Sequence, residues 1–345
     1  MATLTTSALH TDWIVHEVPT ARDWAATAAL ARDALAFYKS PTAPELLEDA
    51  RLIAHQLPLK LRRAVLRLRQ GGVRAVVITG QGIDDAALGP TPTDWRIIPD
   101  VGPTAEHELL LLLYGSLLGD AFTWGTRQNG RLINDLLPVP GHEHEQIGTS
   151  SETELAWHTE DAFHPHRPDY LALMCLRNPD RVGTTMAPID AAMVTPSVLE
   201  ILFQERFVIH PDTSHVSTPG SSRPAAQSRL GDFQQRFADP KPVAVLFGAK
   251  AEPFARLDPD FTVALDDDAL AAFTALSASV EPRLIPLSLE AGEACLFDNH
   301  RVVHGRAPFR ARYDGTDRWL KRLMVSTDLN RSRAFRSDAR SRQTY

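Results

Sequence analysis

What this sequence has little of narrows it first. It has only two cysteines, Cys175 and Cys295, in 345 residues. So few exclude a disulfide-stapled scaffold. Cys175 lies inside the apolar run 170–176, and both read as reduced core thiols, as expected in a cytoplasmic protein. No apolar run reaches the ~18 residues that a membrane-spanning helix requires. The stretch 1–6 has neither a basic nor an apolar segment, so no secretory signal is expected. Positive charge is in deficit, with 36 Lys and Arg against 43 Asp and Glu and a net charge of −7. That balance argues against nucleic acid, which needs a basic footprint. The basic set Lys60, Arg62, Arg63, Arg67 and Arg69 reads as a solvated helix face instead. No internal repeat or low-complexity linker is visible, so residues 1–345 read as one domain. A negative chain is compatible with a cationic small-molecule partner.

What is present centres on Trp157-His158-Thr159-Glu160-Asp161-Ala162-Phe163. On an extended segment, residues two apart point to the same face, so His158 and Glu160 can grip one metal ion from one side. Among 13 histidines such a spacing arises readily by chance, and it needs a third ligand. Asp298-Asn299-His300-Arg301-Val302-Val303-His304-Gly305-Arg306 supplies one in His304, after a strand-like apolar run. Two imidazoles and one carboxylate form the facial triad of non-haem Fe(II) oxygenases, which leaves coordination positions open for a co-substrate and O2. Other metal-like groupings are weaker. His142-Glu143-His144-Glu145 falls in a loop between Pro140-Gly141 and Gly148, and His164-Pro165-His166 has its backbone restricted by proline. His210 and His215 border a polar Ser-, Pro- and Gly-rich stretch.

The remaining pattern predicts helices over 21–37 with Thr20 as N-cap, after Pro44, over 58–69 and over 104–118. Strands are expected over 73–80, 242–247, 284–297 (interrupted by Pro286 and Gly292) and 319–325. Residues 1–70 therefore read as a helical N-terminal part, and 330–345, basic and Ser-rich, as a mobile tail. Leu257-Asp258-Pro259-Asp260-Phe261 again has period two. Two carboxylates on one face repel unless a cation sits between them, and a planar guanidinium meets that demand.

The segments E-L-x-W-H-T-E-D-A-F-x-P-x-R-P-D-Y (154–170) and D-N-H-R-V-V-H-G-R-A-P-F-x-x-R-Y-D-G-x-D-R-W-L-K-R (298–322) resemble the clavaminate-synthase-like, 2-oxoglutarate-dependent oxygenases. The resemblance runs from about residue 45 to 333 and is closest to the branch that hydroxylates free amino acids, its arginine hydroxylases in particular. It implies a mainly β, α+β fold with flanking helices around a double-stranded β-helix, or jelly roll, and a lid over the site in 211–235. It implies Fe(II) on His158, Glu160 and His304, with 2-oxoglutarate and O2 as co-substrates. Arg318 matches the family's anchor for the far carboxylate of 2-oxoglutarate, and Thr184 its 2-oxoglutarate-contacting threonine. For the amino-acid substrate, Gln128 (with Arg127 the neighbouring alternative) matches the contact to the amino group, and Glu160 counts among the substrate-binding residues as well. Arg322 matches the residue that takes the α-carboxylate, and Asp258 and Asp260 the pair that holds a guanidinium. Pro259 departs from the glycine of those hydroxylases, and its fixed φ can turn one aspartate away.

The implied activity is hydroxylation of L-arginine at C3, in natural-product biosynthesis. A cyclic arginine derivative such as enduracididine, or lysine, ornithine or asparagine, are alternatives. A halogenase would need a small residue in place of Glu160. A non-enzymatic metal-binding jelly roll would not need Arg318, Thr184, Gln128 and Arg322 together.

Overall fold

Thr20 starts the first helix as expected: its hydroxyl accepts from the amide of Asp23, whose carboxylate accepts in return from the Thr20 amide. The computed structural model describes residues 11–212, 215, 231, 233, 235 and 237–345. The expected lid at 211–235 therefore lies almost wholly outside the described residues. Helices α1 (Ala21–Tyr38), α2 (Pro44–Ala54), α3 (Leu59–Leu66), α4 (Asp85–Leu88) and α5 (Ala105–Ser116) precede the metal-like motif; α6 (Pro196–Leu202) and α7 (Asp267–Val280) follow it. None is long and apolar enough to cross a membrane.

The strands are β1 (Ile14–Glu17), β2 (Ala75–Ile78), β3 (Asp120–Trp124), β4 (Ile133–Leu136), β5 (Leu155–His158), β6 (Tyr170–Arg177), β7 (Thr184–Pro188), β8 (Phe207–Ile209), β9 (Leu246–Ala249), β10 (Glu252–Ala255), β11 (Thr262–Ala264), β12 (Ile285–Leu287), β13 (Ala294–Asp298), β14 (Val302–Arg306), β15 (Trp319–Ser326) and β16 (Gln343–Thr344). A large sheet has the order β1-β2-β13-β6-β15-β3-β16, with β4 beside β15; a small sheet has the order β12-β7-β14-β5. The chain is thus mainly β with helices at its flanks.

Period-two alternation explains how the layers stack. In β2, β6, β13 and β15, Val76, Ala172, Met174, Leu296 and Leu323 face outward into the layer that α1, α2 and α5 cover. Val77, Leu171, Leu173, Phe297, Leu320 and Met324 face inward. Met186 and Val302 of the small sheet meet them there, while their neighbours Ala187 and Val303 pack on the opposite side with α6 and α7. The two sheets therefore face each other across a shared apolar layer. Every side chain of the run Leu109–Leu113 is buried, because α5 is wedged between other helices and the large sheet.

The tail differs from its expected mobility. Gln343 and Thr344 pair with Thr123 and Trp124 of β3 as a parallel strand, and Thr344 is fully buried. β3 leaves an unpaired edge there, and tail backbone satisfies it.

Candidate active site

The register between strands assembles the metal-like triad. β14 lies between β7 and β5, and its pairing sets His304 directly opposite His158 on one side and Met186 on the other. The β14–β5 register shifts between His304 and Arg306, at Gly305. A Cβ on Gly305 would stand 2.5 Å from the Leu155 carbonyl oxygen, so only glycine permits this close approach. Glu160 follows β5 immediately. Asn299, from the turn before β14, clamps its backbone: Oδ1 accepts from the Glu160 amide at 2.7 Å and Nδ2 donates to the Glu160 carbonyl at 3.1 Å.

The donor atoms converge. Nε2 of His304 is 3.4 Å and Nε2 of His158 is 3.9 Å from Glu160 Oε2. Ligand atoms about 2.0–2.2 Å from one ion lie roughly 3–4 Å apart, so this spacing admits a single metal. Nδ1 of His158 lies 2.8 Å from the Ala156 carbonyl, which leaves the Nε2 lone pair facing the centre. The two oxygens of Glu160 are used differently. Oε1 accepts from Arg127 and, at 2.8 Å, from Arg322. Oε2 is buried with no hydrogen-bond partner among the described residues. A buried carboxylate oxygen without a partner calls for a cation, and the site fits Fe(II). Burial alone would raise the Glu160 pKa, but the guanidiniums of Arg322 and Arg127 hold it well below the usual carboxylate range. Burial, reinforced by His158, pushes His304 down to about 4, so it is neutral and ready to ligate.

A cavity of about 600 Å³ opens onto the triad, lined by Arg127, Gln128, Thr184, Asp212, Asp258, Asp260, Arg306, Arg318 and Arg322, among others. Arg318 is buried and donates to Thr184 Oγ1 at 3.3 Å. No carboxylate of the described residues pairs with it, and burial lowers its pKa to about 10. Arg306, the cross-strand partner of Thr184, is a second buried guanidinium there, lowered to about 9 by burial and by Arg318; it donates to the carbonyls of Ser150 and Thr153. Two buried cations beside one threonine hydroxyl form a natural seat for a carboxylate. β15 alternates: Trp319 and Lys321 reach outward to Asp135, while Arg322 faces the cavity, where its Nη2 donates to Asn134 at 3.2 Å.

The aspartates at 258 and 260 both line the cavity, yet on a turn and not on the expected strand face. The Asp260 amide donates to Asp258 Oδ1 at 3.2 Å, an arrangement that Pro259 between them permits. Asp258 is part-buried and Asp260 exposed. Burial, with Asp212 and Asp260 adding and His158 opposing, raises the Asp258 pKa to about 7. Gln128 also lines the cavity, but its side-chain amide donates to the Asp135 carbonyl at 2.8 Å and accepts from the Asp135 amide at 2.9 Å. Its neighbour Arg127 is the larger presence, bonded to Glu160, to Asp161 at 2.8 Å and to Asp212 at 2.9 Å. Burial disfavours its charge, but Asp161, Glu160 and Asp212 outweigh that and raise its pKa.

The remaining metal-like groups go elsewhere. His142 bonds Thr149, Glu143 accepts from Tyr313, and His144 faces exposed Glu152. His164 and His166 pack against Phe335. His215 bonds Thr126 and Asp161; with Asp212 it forms a second cluster of possible ligands, but Arg127 already bridges the two aspartates. Sequence reasoning missed Asp161, Asp212, Asn134, Asn299 and Arg306. Asn299 and Arg306 stand inside the second quoted motif, whereas nothing in the spacing of Asp212 points to the cavity.

Comparison with known proteins decides the family. The chain is 42% identical over 332 residues to an enduracididine beta-hydroxylase of Streptomyces hygroscopicus, covering 94% of this chain and 97% of that protein. Residues 202–324 match the family described as taurine catabolism dioxygenase TauD, TfdA family. The chain belongs to the TauD/TfdA family of Fe(II)- and 2-oxoglutarate-dependent oxygenases. An L-ornithine/L-arginine 3-hydroxylase of Catenulispora acidiphila is 38% identical over 341 residues, covering 94% and 98% of the two chains. The non-haem iron oxygenase OrfP, solved with Fe, succinate and (3S)-hydroxy-L-Arg, superposes with a TM-score of 0.91 at 39% identity, covering 96% and 99%. OrfP has also been solved with Fe and alpha-ketoglutaric acid. This TauD/TfdA oxygenase therefore uses Fe(II), 2-oxoglutarate and O2.

Proposed function

We propose that this oxygenase hydroxylates a free guanidine-bearing amino acid, L-arginine at C3 in the first instance, within natural-product biosynthesis in the cytoplasm. The observation that carries the substrate class is the acidic wall of Asp212, Asp258 and Asp260 on the cavity that also holds the triad. A protonated guanidinium there is matched by carboxylates, and a neutral side chain would leave part-buried Asp258 without a cation. The relatives named for enduracididine and for ornithine and arginine support the same reading. We take the whole chain as one catalytic domain, with the two facing sheets forming a double-stranded β-helix.

His158, Glu160 and His304 would hold the iron. Bound there, iron with 2-oxoglutarate and O2 supplies oxidation of an unactivated C–H bond, with the co-substrate lost as succinate and CO2. The chain's own residues bind and orient. Arg318 and Thr184 fix the far carboxylate of 2-oxoglutarate by a charge-assisted pair in a dry pocket. Arg322 has a buried Nε without a partner among the described residues and can take the substrate's α-carboxylate. Glu160 and Gln128 face the amino group, and Asp258 and Asp260 the guanidinium. Holding both ends of the substrate decides which carbon is presented to the iron.

The test is turnover of free amino acids with Fe(II) and 2-oxoglutarate, read by mass spectrometry and by NMR of the product. Arginine should gain one oxygen at C3. A cyclic guanidine substrate processed faster than arginine, as the enduracididine relative suggests, would move the assignment to that derivative. Lysine or asparagine preferred over both would overturn the guanidine reading.

A further inference from the structure

The turn 125–130 carries Arg127 and Gln128 into the cavity in a conformation that it does not hold by itself. Gln128, Asn129 and Gly130 have φ of 42°, 56° and 75°, three successive residues in the left-handed region. For Gln this conformation is strained, for Asn less so, and it persists only where the surroundings over-determine it. Part of that restraint is local: Gln128 grips the backbone of Asp135.

Arg127 is held as well by Glu160, Asp161 and Asp212, and the tail holds both ends of the turn. The Thr123 amide donates to the Arg342 carbonyl at 2.8 Å, and the Gly125 amide to the Thr344 carbonyl at 2.9 Å, so the tail runs beside the turn's entry. The Gln343 side chain then donates to the Gly130 carbonyl at 3.0 Å, at the turn's exit. The Tyr345 ring sits directly on Gly125, where an added Cβ would be 2.2 Å from ring carbons. An added Cβ on Gly130 would be 2.4 Å from the Gln343 amide nitrogen. Both ends of the turn are bare glycine where the tail covers them. Tyr345 is itself held by its amide, which donates to the Phe335 carbonyl at 2.9 Å.

We propose that Gln343 and Tyr345 are positioning residues for the amino-acid substrate: they lock the 125–130 turn so that Arg127 and Gln128 face the cavity. Neither touches the cavity. The proposal rests on the substrate reading above, because it assigns the turn to that subsite. It predicts a defect that falls on the amino acid and spares 2-oxoglutarate. The 2-oxoglutarate contacts Thr184 and Arg318 lie on β7 and just before β15, away from the turn, whereas Arg127 on the turn also bonds Glu160.

The experiment compares Gln343→Ala and Tyr345→Ala with the unaltered protein, using L-arginine as the probe. The expected result is a KM for arginine raised about tenfold in each, with the KM for 2-oxoglutarate within about twofold; Co(II) affinity falls less than arginine affinity, because only the Arg127 bond to Glu160 passes through the turn. Amide hydrogen exchange should quicken about tenfold at residues 128–131 and stay unchanged at 302–306. Gln343→Ala keeps the tail backbone and its strand pairing, so it reads the clamp even where Tyr345→Ala fails to fold. An unchanged arginine KM in Gln343→Ala, or a parallel loss of arginine, 2-oxoglutarate and Co(II) binding, would overturn the proposal. If the unaltered protein turns over other amino acids and not arginine, the substrate reading has failed. The exchange data on residues 128–131 then still decide the clamp.

Discussion

Arg318 donates to the hydroxyl of Thr184 at 3.3 Å, and this bond joins the residue just before β15, the strand of Arg322, to the small sheet that carries His304. It leaves a buried guanidinium with no acid of the described residues for a partner. Replacing Arg318 by Met should therefore cost the far carboxylate of 2-oxoglutarate a charge-assisted bond. At roughly 1.5–3 kcal/mol, that is about one to two decades in affinity. A 2-oxo acid without the far carboxylate should lose nothing. Steady-state titration of both co-substrates checks this, and an equal loss for both would mean that Arg318 acts on the iron site.

Metal binding should stabilise the fold through the triad. A ligand that binds only the folded state at 100 times its Kd adds about 2.7 kcal/mol. Co(II), as an oxygen-stable substitute, should raise the Tm of the chelated protein. His158→Ala and His304→Ala should lose most of that rise. Differential scanning calorimetry with and without metal reads the difference; a full rise in both variants would exclude these histidines as ligands.

Asp258 and Asp260 should not be equivalent toward arginine. Asp258 is part-buried and Asp260 exposed. Asp258→Asn should weaken arginine binding by about 10–100-fold, as loss of a desolvated charged pair does. Asp260→Asn should cost under about fivefold, in keeping with ~0–1 kcal/mol for an exposed pair. Both should leave Co(II) affinity intact. Calorimetric titrations of the two variants decide it, and equal effects would show that Pro259 does not separate the carboxylates in function.

Arginine binding should depend on pH through Asp258. Its carboxyl is raised to about 7, so below pH 7 it is mostly neutral in the free protein. A guanidinium binds the charged form, so affinity should rise as pH rises through about 7 and then level off. Near pH 6 binding should release close to one proton, and near pH 8 almost none. Calorimetry in two buffers of different ionisation enthalpy counts those protons. Asp258→Asn should abolish the release, and its persistence would assign the titration to another group.

Gly305→Ala should move metal binding without touching a ligand. The added Cβ must displace the Leu155 carbonyl from 2.5 Å, which pushes β5 from β14 and His158 from His304. Overpacking of this kind costs about 1–3 kcal/mol. Weaker Co(II) binding together with a lower Tm is the expected pair of results; a lower Tm with unchanged Co(II) affinity would show that the histidines tolerate the shift.

The sequence by itself determined which residues could do chemistry and which way the strands face. Period two alone separates Val303 from His304 and turns Arg322 away from Lys321, because a pleated strand leaves no other choice; Glu160 joins His158 from the turn after β5, where Asn299 holds it. Thr20 and Pro44 mark helix starts for equally local reasons. What only the tertiary structure decided is who meets whom across strands and turns. The opposition of His304 and His158 is set by a register shift at Gly305. The split use of the Glu160 oxygens depends on Arg127 and Arg322 arriving from elements far apart in the chain. Asp258 and Asp260 left the expected strand face because a side-chain bond to the Asp260 amide, with proline between, favours a turn. The tail docked because β3 had an unsatisfied edge, which no property of residues 330–345 reveals. Local propensity is written in a residue and its near neighbours; register, edge pairing and charge convergence belong to the folded whole.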